Sequence, residues 1–263
     1  MHHGPSKESS LTAPSIVSIS HQSMGLPDTI LLTINRAQGA QFVRIVVGTD
    51  RTPFIVHQDV LTHHSAFFSS ALLGNFKEAK EKIVALRSDR PSIFEFFVHW
   101  IYHKQLPTED NAAEELLEEW TDDDESGGKK TDNLIKLYVF ADKYDVPRLK
   151  LDTLLELFMH ITTDDVGLPS SSQCRYAFEN LPEGSPLLHF LLDAHCFYAS
   201  DKYWHLQEAE DFPPAFINGI LIRYTAYASG DRTRSVGFDI CDYHDHKEYK
   251  DRNRCEWAAG VCY

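Results

Sequence analysis

Within Arg44–Asp89 the hydrophobic period switches from two to about 3.6 and back again, and that switch limits most sharply what this chain can fold into. Gln41–Val47 alternates loosely, turns at Gly48-Thr49-Asp50, and returns as Thr52–Val56. Turn residues this close between two β-prone runs predict a hairpin. Asp59–Phe68 then reads as a short helix, with Val60, Leu61, His64, Phe67 and Phe68 near one face. Ser65 is placed to cap a following turn carrying Phe68, Ala71 and Leu72, and Gly74 to end it. Lys82–Leu86 predicts a third strand. Ser88 or Asp89 is expected to cap a stronger helix with Pro91 in its first turn, in which Phe94, Phe97, Val98 and Ile101 repeat at i, i+3, i+4 and i+7. No phosphate loop, catalytic cluster or basic patch accompanies these elements, so interaction is the first functional reading.

The rest of the chain is mostly helical in pattern. Leu134, Leu137, Tyr138 and Ala141 form one apolar stripe, and Leu151, Leu154, Leu155 and Phe158 form another. The linker Tyr144-Asp145-Val146-Pro147 predicts a helical pair. Asp164-Asp165 reads as the start of another short helix and Pro169–Gln173 as a boundary. Pro186–Trp204 is expected to bury Leu187, Phe190, Leu191, Ala194 and Phe197. Phe212-Pro213-Pro214 breaks the chain before a helix over Ala215–Tyr227, with Phe216, Ile220 and Tyr224 on one side. Residues 1–27 read as a flexible lead-in, and Asp28–Ile34 as a short strand. Glu109–Asp132 holds eleven acidic residues and two lysines. Its latter part is expected to be a solvated insertion, with Leu116, Leu117 and Trp120 forming only a transient turn. No 20–50-residue repeat suggests a solenoid.

A formal charge of −14 disfavours general binding to phosphate backbones, so direct nucleic-acid contact is not expected. The short basic run Arg148-Leu149-Lys150 reads as a solvated spot on a helix. Apolar residues at 43% suffice for a core, yet no apolar run approaches the roughly 20 residues of a spanning helix. Five cysteines, all in the second half, make no disulfide framework, and an intracellular location, cytoplasm or nucleus, is expected.

The pieces RIVVG (44–48), FIVHQDVL (54–61), SAFFSSALLGNFKEA (65–79), DRPSIFEFFVHWIYHKQL (89–106) and LYVFADKYDVPRLK (137–150) occur in an order that resembles the BTB/POZ domain. With the acidic interruption and PLLHFLLDAHCFYAS (186–200), the chain looks like fungal BTB-domain proteins. The resemblance implies an α+β fold (mixed α/β), a small sheet against helical hairpins, over residues 28–161. A helical extension over 162–238 and a Cys/His-containing tail over 239–263 would follow. It also implies a non-enzymatic protein-interaction module, able to form homo-oligomers, or alternatively a substrate adaptor for a cullin-3 ubiquitin ligase. His57 and Asp59 match the family's recurrent histidine and following acid, which shape the strand-to-helix junction. Asp59 is also placed to accept helix-terminal N–H groups, and His57 to bond neighbouring backbone or a carboxylate. Phe67, Phe68 and Phe76 are core or interface anchors, two uses that sequence does not separate.

Other chemistry is sparse. Cys241, His244, His246 and Cys255, with Cys262 as an alternative, suit structural zinc and a zinc-stabilised regulatory scaffold, although an unliganded polar tail or ordinary packing is the favoured reading. His195 and Cys196 are neighbours in sequence, which does not make their side chains meet. No G-x-S-x-G elbow or glycine-rich phosphate loop is present, so no enzyme activity or certain cofactor is expected.

Overall fold

Strict alternation along β1 (Phe42–Val47) buries Val43, Ile45 and Val47 and turns Phe42 and Arg44 outward. This computed structural model describes residues 41–121, 128–163, 167–200, 204, 209–229 and 239–244. Strand β1 pairs antiparallel with β2 (Thr52–His57) and parallel with β3 (Ile83–Leu86), giving the sheet order β2-β1-β3. The predicted hairpin is present. Gly48 at φ 77° and Arg51 at φ 58° supply the left-handed backbone of its turn. Parallel pairing of β1 with β3 requires a crossover, and three short helices provide it: α1 (Gln58–His64), α2 (Ala66–Leu73) and α3 (Lys77–Glu81).

Ser65 separates α1 from α2 through one extended residue, at φ −132°. Its hydroxyl accepts the Phe68 N–H (3.1 Å) and donates to the Tyr144 carbonyl (2.6 Å). The predicted cap therefore also ties α2 to a distant helix end. We expect Ser65→Ala to cost about 1–3 kcal/mol, because it orphans buried backbone groups. Chemical denaturation would measure this loss. Gly74 ends α2 as expected, but at φ −78° it does not use the left-handed conformation. Glycine is required by crowding instead: a Cβ would stand 2.4 Å from the Ser70 carbonyl oxygen and 3.2 Å from the Phe76 ring.

Helix α4 (Pro91–His103) is the central element of the core. Phe94, Phe97 and Ile101 are buried as the stripe predicts, while Val98 is only partly buried. Ile93, Phe96, His99 and Trp100 are buried as well, so the helix is covered on more than one side. Phe54 of β2 meets Phe94 edge-on at 4.8 Å. Neither Ser88 nor Asp89 caps α4. Pro91 occupies the first turn and puts Arg90 at the N-cap, which carries no side-chain cap. Asp89 instead accepts the Tyr144 hydroxyl (2.6 Å) and pairs with Lys143 (2.9 Å).

The acidic stretch contains a genuine helix, α5 (Glu114–Trp120). Trp120 is fully buried and its ring lies 4.7 Å from Phe96, so the expected transient turn is a docked element. Residues 122–127 lie outside the described residues. Helices α6 (Gly128–Lys143) and α7 (Pro147–Thr163) form the predicted pair, with Pro147 starting α7. Between them Asp145 adopts φ 49°, and Val146 N–H bonds the Ala141 carbonyl at 2.8 Å.

Helix α8 (Ser171–Asn180) occupies the region read as a boundary. It starts with a reciprocal capping box between Ser170 and Gln173. Helix α9 (Pro186–Tyr198) buries Leu187, Phe190, Leu191 and Ala194, but Phe197 faces solvent. Helix α10 (Pro214–Ala228) buries Phe216 and Ile220 and leaves Tyr224 exposed. Phe216, Ile220, Phe212, Leu192 and Cys174 form a small second cluster. The main core runs without interruption from β1 through α9 to the short 3-10 turn Ile240–Tyr243.

Candidate interaction surface

On the outer side of the sheet, β1's alternation aligns residues from all three strands. Arg44 stands opposite Ile55 on β2 and opposite Ile83 on β3, and Phe42 precedes it by one row. Ile55 is 64% exposed, and Phe42 and Ile83 are also open to solvent. Three large apolar side chains around one arginine thus share a surface that the core does not use. Isolated exposed hydrophobics need no explanation, but a cluster in register is a contact candidate.

The second apolar area lies along α2. Phe68 is buried between Phe97 and Tyr144 at centroid distances of 6.2 and 5.5 Å. Its neighbour Phe67 is exposed and rests edge-on against Tyr144 at 4.9 Å. Leu73 and Phe76 flank Gly74, and Phe76 is 61% exposed. The three phenylalanines therefore divide into one core anchor, Phe68, and two surface residues.

His57 ends β2 and occupies the N-cap position of α1. Its partner is neither a carboxylate nor backbone. The Tyr102 hydroxyl accepts the His57 backbone N–H at 3.1 Å and lies 2.8 Å from the ring Nδ1. While its oxygen accepts the amide hydrogen bond, that hydroxyl can donate its own hydrogen to Nδ1. The His57 ring also lies 4.4 Å from Phe42. His57 thus fixes the edge of the outer sheet surface. Asp59 lies exposed in the first turn of α1, which has no side-chain cap. Its placement leaves it the electrostatic preference of a helix N-terminus.

In the tail, Cys241 is buried in the core beside Ile240 and Tyr243. His244 Nδ1 is 3.1 Å from the Ile240 carbonyl oxygen. His246, Cys255 and Cys262 lie outside the described residues, and no metal-holding group of three His, Cys, Asp or Glu occurs among the described ones. His195 is wholly buried, with Nδ1 2.7 Å from the Leu191 oxygen and Nε2 3.1 Å from the Pro169 oxygen. The contact with Pro169 ties α9 to the lead into α8. Burial raises the Cys196 thiol to about 11, the reverse of what an activated nucleophile needs. Among the described residues no helix is long and apolar enough to cross a membrane.

Phe42, Ile55, Ile83 and Tyr102 were not singled out from the sequence. Period-two reading of β1 and β2 could have placed Phe42 and Ile55 outside. The parallel register that adds Ile83 is a tertiary fact.

A small mixed sheet whose crossover and flanking helices enclose α4 defines the class of domain. Residues 36–121 match the family model for the BTB/POZ domain. Similar proteins include Kelch repeat and BTB domain-containing protein 4 of Mus musculus and of Homo sapiens. Each is 29% identical over 77 residues, covering 29% of this chain and 14% of the relative. The corresponding protein of Pongo abelii is also 29% identical, with 15% of its length covered. The chain thus spans a small fraction of these relatives. They are mammalian, and they lend no support to the specifically fungal likeness.

Proposed function

We propose that this protein is a non-enzymatic protein-interaction scaffold that self-associates through its BTB/POZ domain. The observation that carries the reading is the in-register outer-sheet cluster of Phe42, Ile55 and Ile83 around Arg44. Pairing two such surfaces would remove apolar area from water, while the surrounding polar residues would restrict partner choice. The expected result is a mass that rises with concentration in analytical ultracentrifugation. Ile55→Glu should weaken association at least tenfold and change folding stability by no more than about 0.5 kcal/mol, since its side chain faces solvent. A persistent monomer across the concentration range would reject self-association.

The helices beyond Pro147, packed into the same core, favour a second reading: a substrate adaptor for a cullin-3 ubiquitin ligase. Exposed Phe76 beside Leu73 offers an apolar contact for such a partner. Purified cullin-3 should bind the folded chain and lose at least tenfold in affinity with Phe76→Asp. Absence of binding by the folded wild type would remove this reading.

A further inference from the structure

We propose that His99 and His103 form an open two-imidazole site for a divalent transition-metal cation, with zinc as its type. The two residues are one turn apart on α4, a spacing that sets their side chains on the same face. Their rings are 4.3 Å apart between centroids and nearly parallel, at 12°. His99 is only 8% exposed, whereas His103 lies at the surface. This pairs a fixed imidazole with one that has room to turn.

Packing alone accounts for the stack but leaves one atom unexplained. Among the described residues, no group meets hydrogen-bond geometry at the buried His99 Nε2. Leaving such a polar atom unsatisfied costs about 1–3 kcal/mol. A cation would supply the missing partner, and neutral imidazole nitrogen is a suitable ligand for zinc. In the stacked arrangement the nitrogen lone pairs run nearly parallel, so rotation of His103 is needed to make them converge on one ion. Among the described residues no third His, Cys, Asp or Glu completes a cage. Water would fill the remaining coordination positions.

The test is a Zn²⁺ titration of the full chain, read by the NMR signals of the histidine rings and by calorimetry. Both His99 and His103 ring signals should shift together, and His103→Gln should remove one zinc equivalent or weaken that equivalent at least tenfold. The His63→Gln variant, altered on α1 and outside the pair, should keep it. Circular dichroism would verify that both variants retain the fold. Zinc held by other histidines or cysteines of the chain is common to all three proteins and cancels in the comparison. Unmoved His99 and His103 signals, or equal zinc stoichiometry and affinity in wild type and His103→Gln, would overturn the assignment. So would equal losses in His103→Gln and His63→Gln.

Discussion

Trp120→Ala is expected to lower folding stability by about 3–5 kcal/mol, the range for removing a large buried aromatic side chain. The residue closes α5 and packs edge-on against Phe96 of α4. Asn133 Nδ2 donates to the carbonyls of Glu119 (2.7 Å) and Trp120 (3.0 Å), satisfying the end of α5 from α6. The substitution would leave a cavity beneath that polar clamp. Urea unfolding of the full chain would measure the effect. Trp120→Phe should lose less, because it keeps aromatic contact with Phe96. A loss below about 1 kcal/mol for Trp120→Ala would mean that α5 does not contribute to the core as its burial implies.

Acidification should destabilise the protein before most carboxylates titrate. Burial, then Lys104, then His63, lower the pKa of His64 from 6.5 to about 4. His99 falls to about 4 and His103 falls in the same direction. All three bind protons more readily in the unfolded chain. Their contribution to stability is therefore complete above pH 6.5 and is lost progressively as pH falls toward 4. Glu95 opposes the trend, since burial and then Glu119 raise its pKa, and half-buried Asp152 is raised as well. The interval from about pH 6.5 to 5 lies just below the ordinary histidine value, where the histidines lose this contribution. After allowance for solvent screening of the partly exposed rings, the expected loss over that interval is about 1–3 kcal/mol. Urea midpoints at pH 7.5 and 5.0 would measure it. His64→Gln should flatten the dependence; identical pH profiles for wild type and this variant would exclude His64 as a contributor.

Local signals carried much of this fold into the sequence. Alternation marked β1 and β2, the hydroxyl of Ser65 marked the break between α1 and α2, and the 3.6-residue stripes marked α4, α6, α7 and α9. Longer-range relations were hidden. α5 looked solvated because Glu114, Glu115, Glu118 and Glu119 surround the one tryptophan that docks it. α8 is hard to read locally, because Pro169 and the serine run resemble a boundary and mask the Ser170–Gln173 capping box. Asp89 looked like a cap, since no sequence pattern brings Tyr144 and Lys143 to it across more than 50 residues. The same limit applied to the interaction surface: Phe68 and Phe76 have the same chemistry, and only tertiary packing sends one inward and the other outward.

The shared core has a consequence for dissection of the protein. Phe158 of α7 packs against Phe190 of α9 at 5.7 Å and Tyr243 at 6.5 Å. A fragment stopped at residue 161 would uncover the Phe158 side of the α6–α7 pair. Partners captured by such a fragment would include molecules drawn to a freshly cut interior. Recognition by the native exterior is better mapped by point changes at Ile55 and Phe76, with the later helices left in place.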